Sequence, residues 1–274
     1  MTTFDVDSVR AAVDGTRFGD VRWVASTGST NADLLARAAD GEGEGVVLGA
    51  DHQTAGRGRR GRTWEAPPDA AILVSVLVRP PAPAVDLVTP AVAVAAAAAV
   101  EQVVGVAPGV KWPNDLVVGR RKLAGILAEA SWPPGADIAS GWMAPGERTR
   151  VPVVVGMGLN VRAAGRAPDL DDLAIACDEL DGAPATREDL VAAWLIALDH
   201  WYARAVDPDG RTDLWAEWRR RSATLGQRVR VDLGADDLEG EAVDVTPGGQ
   251  LVVRTPEGEL RTLAVGDVTH LRPV

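Results

Sequence analysis

Cysteine is almost missing: Cys177 is the one thiol in 274 residues. That excludes an internal disulfide and a thiolate-rich structural zinc site, and it suits a reducing compartment. Positive charge is also in deficit. With 28 basic against 39 acidic residues the net charge is −11, so the chain as a whole is repelled by nucleic acid and by anionic membranes. No apolar run reaches the ~20 residues that span a bilayer; the longest, Ala91 to Val100, stops at Glu101. The start, Met1-Thr2-Thr3-Phe4-Asp5, has neither the basic nor the apolar region of a secretory signal. A cytoplasmic protein is the expectation. The histidines, His52, His200 and His270, are far apart and lack metal-ligand spacing. Ser75 and Ser222 have no nucleophile-elbow context. Lysine is the scarcest charge of all, because 26 of the 28 basic residues are arginine and only Lys111 and Lys122 remain. A compact ammonium at those two points is not replaceable by a planar guanidinium, which marks them as a site.

What is present reads as an α+β chain of one medium domain carrying a small second one, with 46% hydrophobic and 24% charged residues. A short helix over 7–14 and a strand over Arg22 to Ala25 leave no room for a helix-turn-helix domain ahead of them. Thr30 and Asp33 have capping-box spacing and predict a helix start. Val46 to Ala50 and Ile72 to Val78 predict buried strands separated by a long loop, 53–70. The Ala/Val-rich stretch Val85 to Val104 predicts the central buried helix. Leu116 to Val118, Leu123 to Ala130 and Val151 to Leu159 predict strands of one mixed sheet, the first two joined at Gly119-Arg120. Residues 132–150, rich in proline and glycine, read as a surface insertion. Helices are expected from the box Thr186-Arg187-Glu188-Asp189 to about Ala205, and over Thr212 to Ser222. From Gly226 onward short alternating strands and Pro-Gly turns predict a small β-barrel, giving domains of 1–224 and 225–274.

Three segments carry chemistry. Gly56-Arg57-Gly58-Arg59-Arg60-Gly61-Arg62 sets four arginines on a glycine-punctuated loop, which suits a polyphosphate because backbone N–H groups approach closely and guanidinium forks bind bidentately. Its G-x-G-x-x-G spacing is not a dinucleotide fingerprint, since Thr63-Trp64-Glu65-Ala66-Pro67-Pro68 cannot open a helix. A solvated basic turn or an arginine-rich RNA contact is the bland alternative. Val110 to Leu116, followed by Arg121 to Leu127, joins two strands through a turn expected to bring Lys111 and Lys122 together, ready to neutralise a carboxylate and a phosphate as they approach. Asn114 and Asp115 are candidates to hold a ribose or a Mg²⁺ ion, or to form the turn. Gly156-Met157-Gly158-Leu159-Asn160 ends a strand with two positions open to close approach and an amide able to read a base edge. Trp64 is placed to stack on a ring.

In order and spacing, Gly28-Ser29-Thr30-Asn31, Gln53 to Gly61, Lys111-Trp112-Pro113-Asn114-Asp115, Lys122 to Leu127 and Gly156 to Asn160 resemble the biotin protein ligases over about residues 20–270. The resemblance implies a class II synthetase-like catalytic fold with an SH3-like C-terminal barrel. It also implies two steps: biotin and MgATP give biotinyl-5′-AMP and pyrophosphate, and biotin then passes to a lysine of a biotin carboxyl carrier domain of an acetyl- or acyl-CoA carboxylase. By position, Lys122 and Arg59 would be catalytic. Ser29, Thr30, Asn31, Gln53, Gly56, Arg57, Gly58, Arg59, Trp64 and Gly125 would bind biotin, while Arg57, Arg59, Lys111, Asn114, Asp115, Lys122 and Asn160 would bind ATP and the adenylate. The metal ligands are not implied beyond Asp115 through Mg²⁺. Repressor members carry a winged helix for which this N-terminus has no room, so a monofunctional ligase without nucleic-acid or membrane partners is expected, as monomer or homodimer. Lipoate-type ligation and a non-catalytic binding module are the competing readings.

Overall fold

The structure, a computed structural model, describes residues 4–132, 149–233, 237–264 and 266–270. The chain runs through α1 (Val6–Ala12), β1 (Asp20–Val24), α2 (Thr30–Ala39), β2 (Val46–Ala50), β3 (Ala71–Val78), α3 (Val88–Val104), β4 (Gly109–Lys111), β5 (Asp115–Val118), β6 (Arg121–Ala130) and β7 (Val153–Asn160). It continues through α4 (Arg187–Val206), α5 (Arg211–Arg221), β8 (Arg228–Asp232), β9 (Asp237–Val245), β10 (Leu251–Arg254), β11 (Leu260–Leu263) and β12 (Asp267–His270). The first seven strands make one mixed sheet in the order β1-β2-β3-β7-β6-β5-β4, parallel only between β1 and β2.

Alternation along the central strands decides what lies on each face. Ile72, Val74, Val76 and Val78 of β3, with Val153, Val155, Met157 and Leu159 of β7, enter the large core, which they share with the buried residues of α3 and α4. The stretch Ala82–Val104 is apolar and long enough to cross a membrane by length and composition, yet most of it is buried in this core. Its α-helix ends at Gly105, whose φ of 84° is the left-handed cap that glycine adopts freely. On the opposite face α2 covers only one end of the sheet, burying Leu34 and Ala38 against Val46, Leu48, Leu77 and Val154. The remainder of that face is open, and this opening holds the site.

The helix α2 does not start as its spacing predicts. Ser29, not Thr30, is the N-cap and accepts from the Ala32 amide. Thr30 turns its hydroxyl to Gln53 and Ser75, and Asp33 accepts from the Thr27 hydroxyl at 2.6 Å, so tertiary partners outcompete the capping box. Beyond α5 five antiparallel strands follow in the order β11-β10-β9-β8-β12, with the last returning to the first. Among the described residues β11 and β12 do not pair, so the sheet is open rather than a closed barrel. The insertion read at 132–150 lies, apart from its ends, outside the described residues.

Candidate active site

The open face gathers every second residue of three neighbouring strands: Ser75 on β3, Gly156, Gly158 and Asn160 on β7, and Gly125, Leu127 and Glu129 on β6. Gly125 and Gly158 are register partners and make a side-chain-free floor. The Trp64 indole rests on that floor, since a Cβ at Gly158 would lie 2.3 Å from Trp64 Cε2 and one at Gly125 3.0 Å from its Cζ3. By the same logic Gly156 is bare because Asn31 Oδ1 occupies the space, 2.2 Å from where a Cβ would stand.

Strict alternation would send Lys122 into the core, three positions from Gly125. A β-bulge prevents this: Leu116 faces Ala124 but Val117 faces Lys122, so Leu123 is the extra residue. Leu123 and Ala124 both enter the core, and Lys122 joins the face of Gly125, its Nζ 2.9 Å from the point where a Gly125 Cβ would be. The ammonium lies 2.7 Å from Asp115 Oδ1 and 5.4 Å from the Trp64 ring centroid. Its backbone is pinned from outside as well. The Lys122 N–H donates to Leu173 O at 2.7 Å, and its carbonyl accepts from the Ile175 N–H at 2.9 Å and from Asn160 Nδ2 at 3.3 Å. The strap carrying Leu173 and Ile175 is itself held by Glu179, which accepts from the Ala176 N–H, Arg121 and Arg166. The Arg166 guanidinium holds the Glu179 carboxyl down at about 2.

The arginine loop is a hairpin over this floor. Trp64 N donates to Gly56 O and Gly58 N to Arg62 O, with a short 3₁₀ turn at Arg59–Gly61 and no α-helix after it. Gly56 is required at its base, because a Cβ there would sit 2.3 Å from the Trp64 carbonyl. Arg57, Arg59 and Arg60 each reach outside the loop, and Arg62 bonds back to Arg59 O within it. Arg57 pairs with Glu129 at 3.0 Å, Arg59 donates to Asn114 Oδ1 and Gly266 O, and Arg60 takes both the carboxylate and the carbonyl of Asp232.

Two connected chambers result. The inner one, about 120 Å³, is walled by Ser29, Thr30, Asn31, Gln53, Arg57, Gly58, Arg59, Trp64, Asn114, Lys122, Gly125, Gly156 and Gly158. The outer one, about 880 Å³, is walled by His52, Gln53, Gly56, Trp64, Lys122, Asn160, Arg162 and the 165–174 segment. Trp64, Gln53, Thr63 and Lys122 belong to both, so the ammonium stands at the junction. Thirteen of the fifteen residues singled out from sequence therefore line a chamber. Asp115 does not, but it is the counter-ion of Lys122. Lys111 lies on the edge strand β4 as the register partner of Asp115, the residue whose carboxylate pairs with Lys122, with β5 between β4 and β6. Sequence reasoning missed Ser75 and Glu129. Ser75 hides in an apolar strand, and only its polarity at a buried position flags it; Glu129 shares the parity of Gly125 and was legible from that. Among the described residues no three His, Cys, Asp or Glu side chains form a metal cluster.

Comparisons with known proteins agree on one family. Residues 23–134 match the biotin/lipoate A/B protein ligase family model, and residues 224–271 match the biotin protein ligase C-terminal domain. The chain is 40% identical to the biotin–[acetyl-CoA-carboxylase] ligase of Mycobacterium tuberculosis over 97% of this chain and 94% of that protein. It is 29% identical to the bifunctional ligase/repressor of Bacillus subtilis over 78% of this chain and 63% of that protein. Its fold is similar to that of the biotin protein ligase of Aquifex aeolicus in complex with biotin and ATP, at a TM-score of 0.75 and 23% identity, covering 93% of this chain and all of the other.

Proposed function

The chain belongs to the biotin protein ligase family, and from that premise we propose that it joins biotin to ATP as biotinyl-5′-AMP, releases pyrophosphate, and transfers biotin to a lysine of a biotin carboxyl carrier domain. The observation that carries the reading is Lys122, turned by a bulge to the junction of two chambers beneath a loop of arginines. A biotin carboxylate oxygen attacks the α-phosphorus, and the bond from that phosphorus to the pyrophosphate oxygen breaks. Two anions must meet for this to occur, and Lys122 with Arg57 and Arg59 supplies the fixed positive charge that offsets their repulsion. In the second step the acceptor amine attacks the acyl carbon, loses its proton, and AMP departs.

Ser29, Thr30, Asn31 and Gln53 form the polar end of the inner chamber and are assigned to biotin, together with Gly56, Gly58, Gly125 and Trp64. Asn160, Asn114, Asp115 and Lys111 are assigned to the nucleotide side. ATP enters as its Mg²⁺ complex; a single carboxylate, Asp115, fits a cation that arrives on phosphates better than one held by the protein alone. Closing the arginine hairpin over the mixed anhydride excludes the water that would hydrolyse it. We further assign 1–224 to catalysis and 225–274 to a small C-terminal unit of SH3-like strand order, supported by the return of β12 to β8 although the sheet stays open. A cytoplasmic enzyme acting on an acetyl- or acyl-CoA carboxylase carrier, without DNA binding, completes the reading.

The test is to incubate the protein with MgATP and either biotin or lipoate, following pyrophosphate and the mass of a carrier domain. Biotin-dependent release with one biotinyl mass shift is expected. Activity with lipoate alone moves the chain to lipoate ligation, and silence with both favours a non-catalytic binding module.

A further inference from the structure

The inner chamber ends in a chain of four buried or half-buried side chains, Gln53, Thr30, Ser75 and Asn31, joined by three oxygen–oxygen contacts. Thr30 Oγ1 lies 3.0 Å from Gln53 Oε1 and 2.7 Å from Ser75 Oγ, and Ser75 Oγ lies 2.6 Å from Asn31 Oδ1. Only two hydroxyl hydrogens are available for these three contacts, so one contact carries no proton.

The ends of the chain fix which. The Asn31 amide faces Leu127 O at 3.1 Å and the Glu129 carboxylate at 2.8 Å, both acceptors, so its NH₂ must point there and its oxygen must point at Ser75. The Gln53 oxygen is satisfied by the Thr30 backbone N–H at 2.8 Å. Ser75 is fully buried and Asn31 is 5% exposed, so the Asn31 oxygen has its donor in the Ser75 hydroxyl. Ser75 therefore donates to Asn31, and Thr30 donates into Ser75 across the next shortest contact. Thr30 has one hydrogen for two acceptors, Ser75 at 2.7 Å and Gln53 at 3.0 Å; with the Gln53 oxygen already held by the Thr30 N–H, the assignment that satisfies most groups leaves the Thr30–Gln53 contact without a proton. Thr30 then presents lone pairs, and no hydrogen, to the chamber.

We propose that Ser75 is a positioning residue for substrate choice: by drawing the Thr30 hydrogen inward it turns the Thr30 oxygen into an acceptor for a ligand N–H. This rests on the ligase reading and deepens it. The ureido ring of biotin offers such an N–H, whereas the dithiolane of lipoate offers none. Glu129 and Leu127 O act one step further back by fixing the direction of the Asn31 amide. A ligand lacking the N–H leaves the bare oxygen pair unrelieved, and selectivity follows from that penalty.

Steady-state kinetics of the wild type, Ser75→Ala and Ser75→Cys test this with biotin and with biotin methylated on either ureido nitrogen. In Ser75→Ala the Thr30 hydrogen is released, so KM for biotin rises about tenfold, in line with one lost hydrogen bond, while KM for ATP stays within twofold. The preference for biotin over one of the two methylated isomers shrinks by a similar factor. Ser75→Cys keeps the volume with a weak donor, falls between, and carries the test where Ser75→Ala does not fold. An unchanged KM for biotin and an unchanged preference in a folded variant overturn the proposal while leaving the ligase reading intact. Absence of biotin-dependent pyrophosphate release in the wild type overturns both.

Discussion

Replacing Gly158 by alanine is the sharpest perturbation of the site that leaves every charge in place. The added Cβ would stand 2.3, 2.6 and 2.7 Å from Trp64 Cε2, Cζ2 and Nε1. Ordinary carbon contacts are about 3.5–4.0 Å, so the indole must retreat by more than about 1 Å. Backbone cannot yield, because Gly158 sits mid-sheet between Leu73 and Gly125. The hairpin that carries Trp64 can. The fold should survive, since overpacking of this kind costs about 1–3 kcal/mol against total stabilities of about 5–15 kcal/mol. Chemistry should not survive unchanged: Trp64 walls both chambers and packs beside Lys122, and a displacement of that size at reacting groups costs roughly 10²-fold, or about 2.7 kcal/mol of barrier. The assay is kcat/KM for biotin-dependent pyrophosphate release, read beside a melting curve. A folded Gly158→Ala variant within twofold of wild type would refute the claim that Trp64 on the glycine floor shapes the reacting geometry.

Arg187 is 4% exposed and bridges Asp51 at 2.8 Å and Asp69 at 3.2 Å; Arg187→Ala takes the positive charge from both carboxylates, leaving Asp51 only the Trp23 indole N–H, and should cost about 3 kcal/mol, seen as a fall of roughly 10 °C in Tm. A shift of only a degree or two would show that water takes over both carboxylates. Glu179 is held at about 2 by Arg166, below its ordinary 4.5, so the support it gives the strap is complete above about 4.5 and fades as pH falls toward 2. The protection factor of the Ile175 amide, which bonds Lys122 O, should fall across that window in the wild type and stay constant in Glu179→Gln. Asp232→Ala removes the carboxylate that ties Arg60 to the C-terminal sheet and leaves the carbonyl contact at that position; as an exposed pair it should leave Tm within about a degree, yet biotinyl-adenylate should escape faster, read as AMP accumulating without a carrier.

Much of this was legible in the sequence because it rests on local pattern. The apolar monotony of 85–104 announced the central helix, and the glycines of 156–158 announced a surface kept bare for close approach. What was hidden depends on competition or on register. Thr30 was misread as a cap because nothing in sequence shows that Gln53 and Ser75 lie near enough to claim its hydroxyl. Strands β4 and β12 are absent from the sequence reading; each is short and is placed by the one strand it pairs with, β5 for β4 and β8 for β12. The placement of Lys122 is the clearest case. Parity along β6 argues against it facing Gly125, and only a one-residue bulge, invisible in the amino-acid order, brings it there.

The central claim is that the Lys122 ammonium, at the junction of the chambers, drives adenylation of biotin. A single-turnover experiment with excess enzyme, biotin and MgATP, quantifying biotinyl-5′-AMP and pyrophosphate in wild type and Lys122→Arg, addresses it directly. The account predicts stoichiometric adenylate in the wild type and a rate lower by at least about 10²-fold in a folded Lys122→Arg that still binds biotin. Equal rates in the two proteins would contradict it.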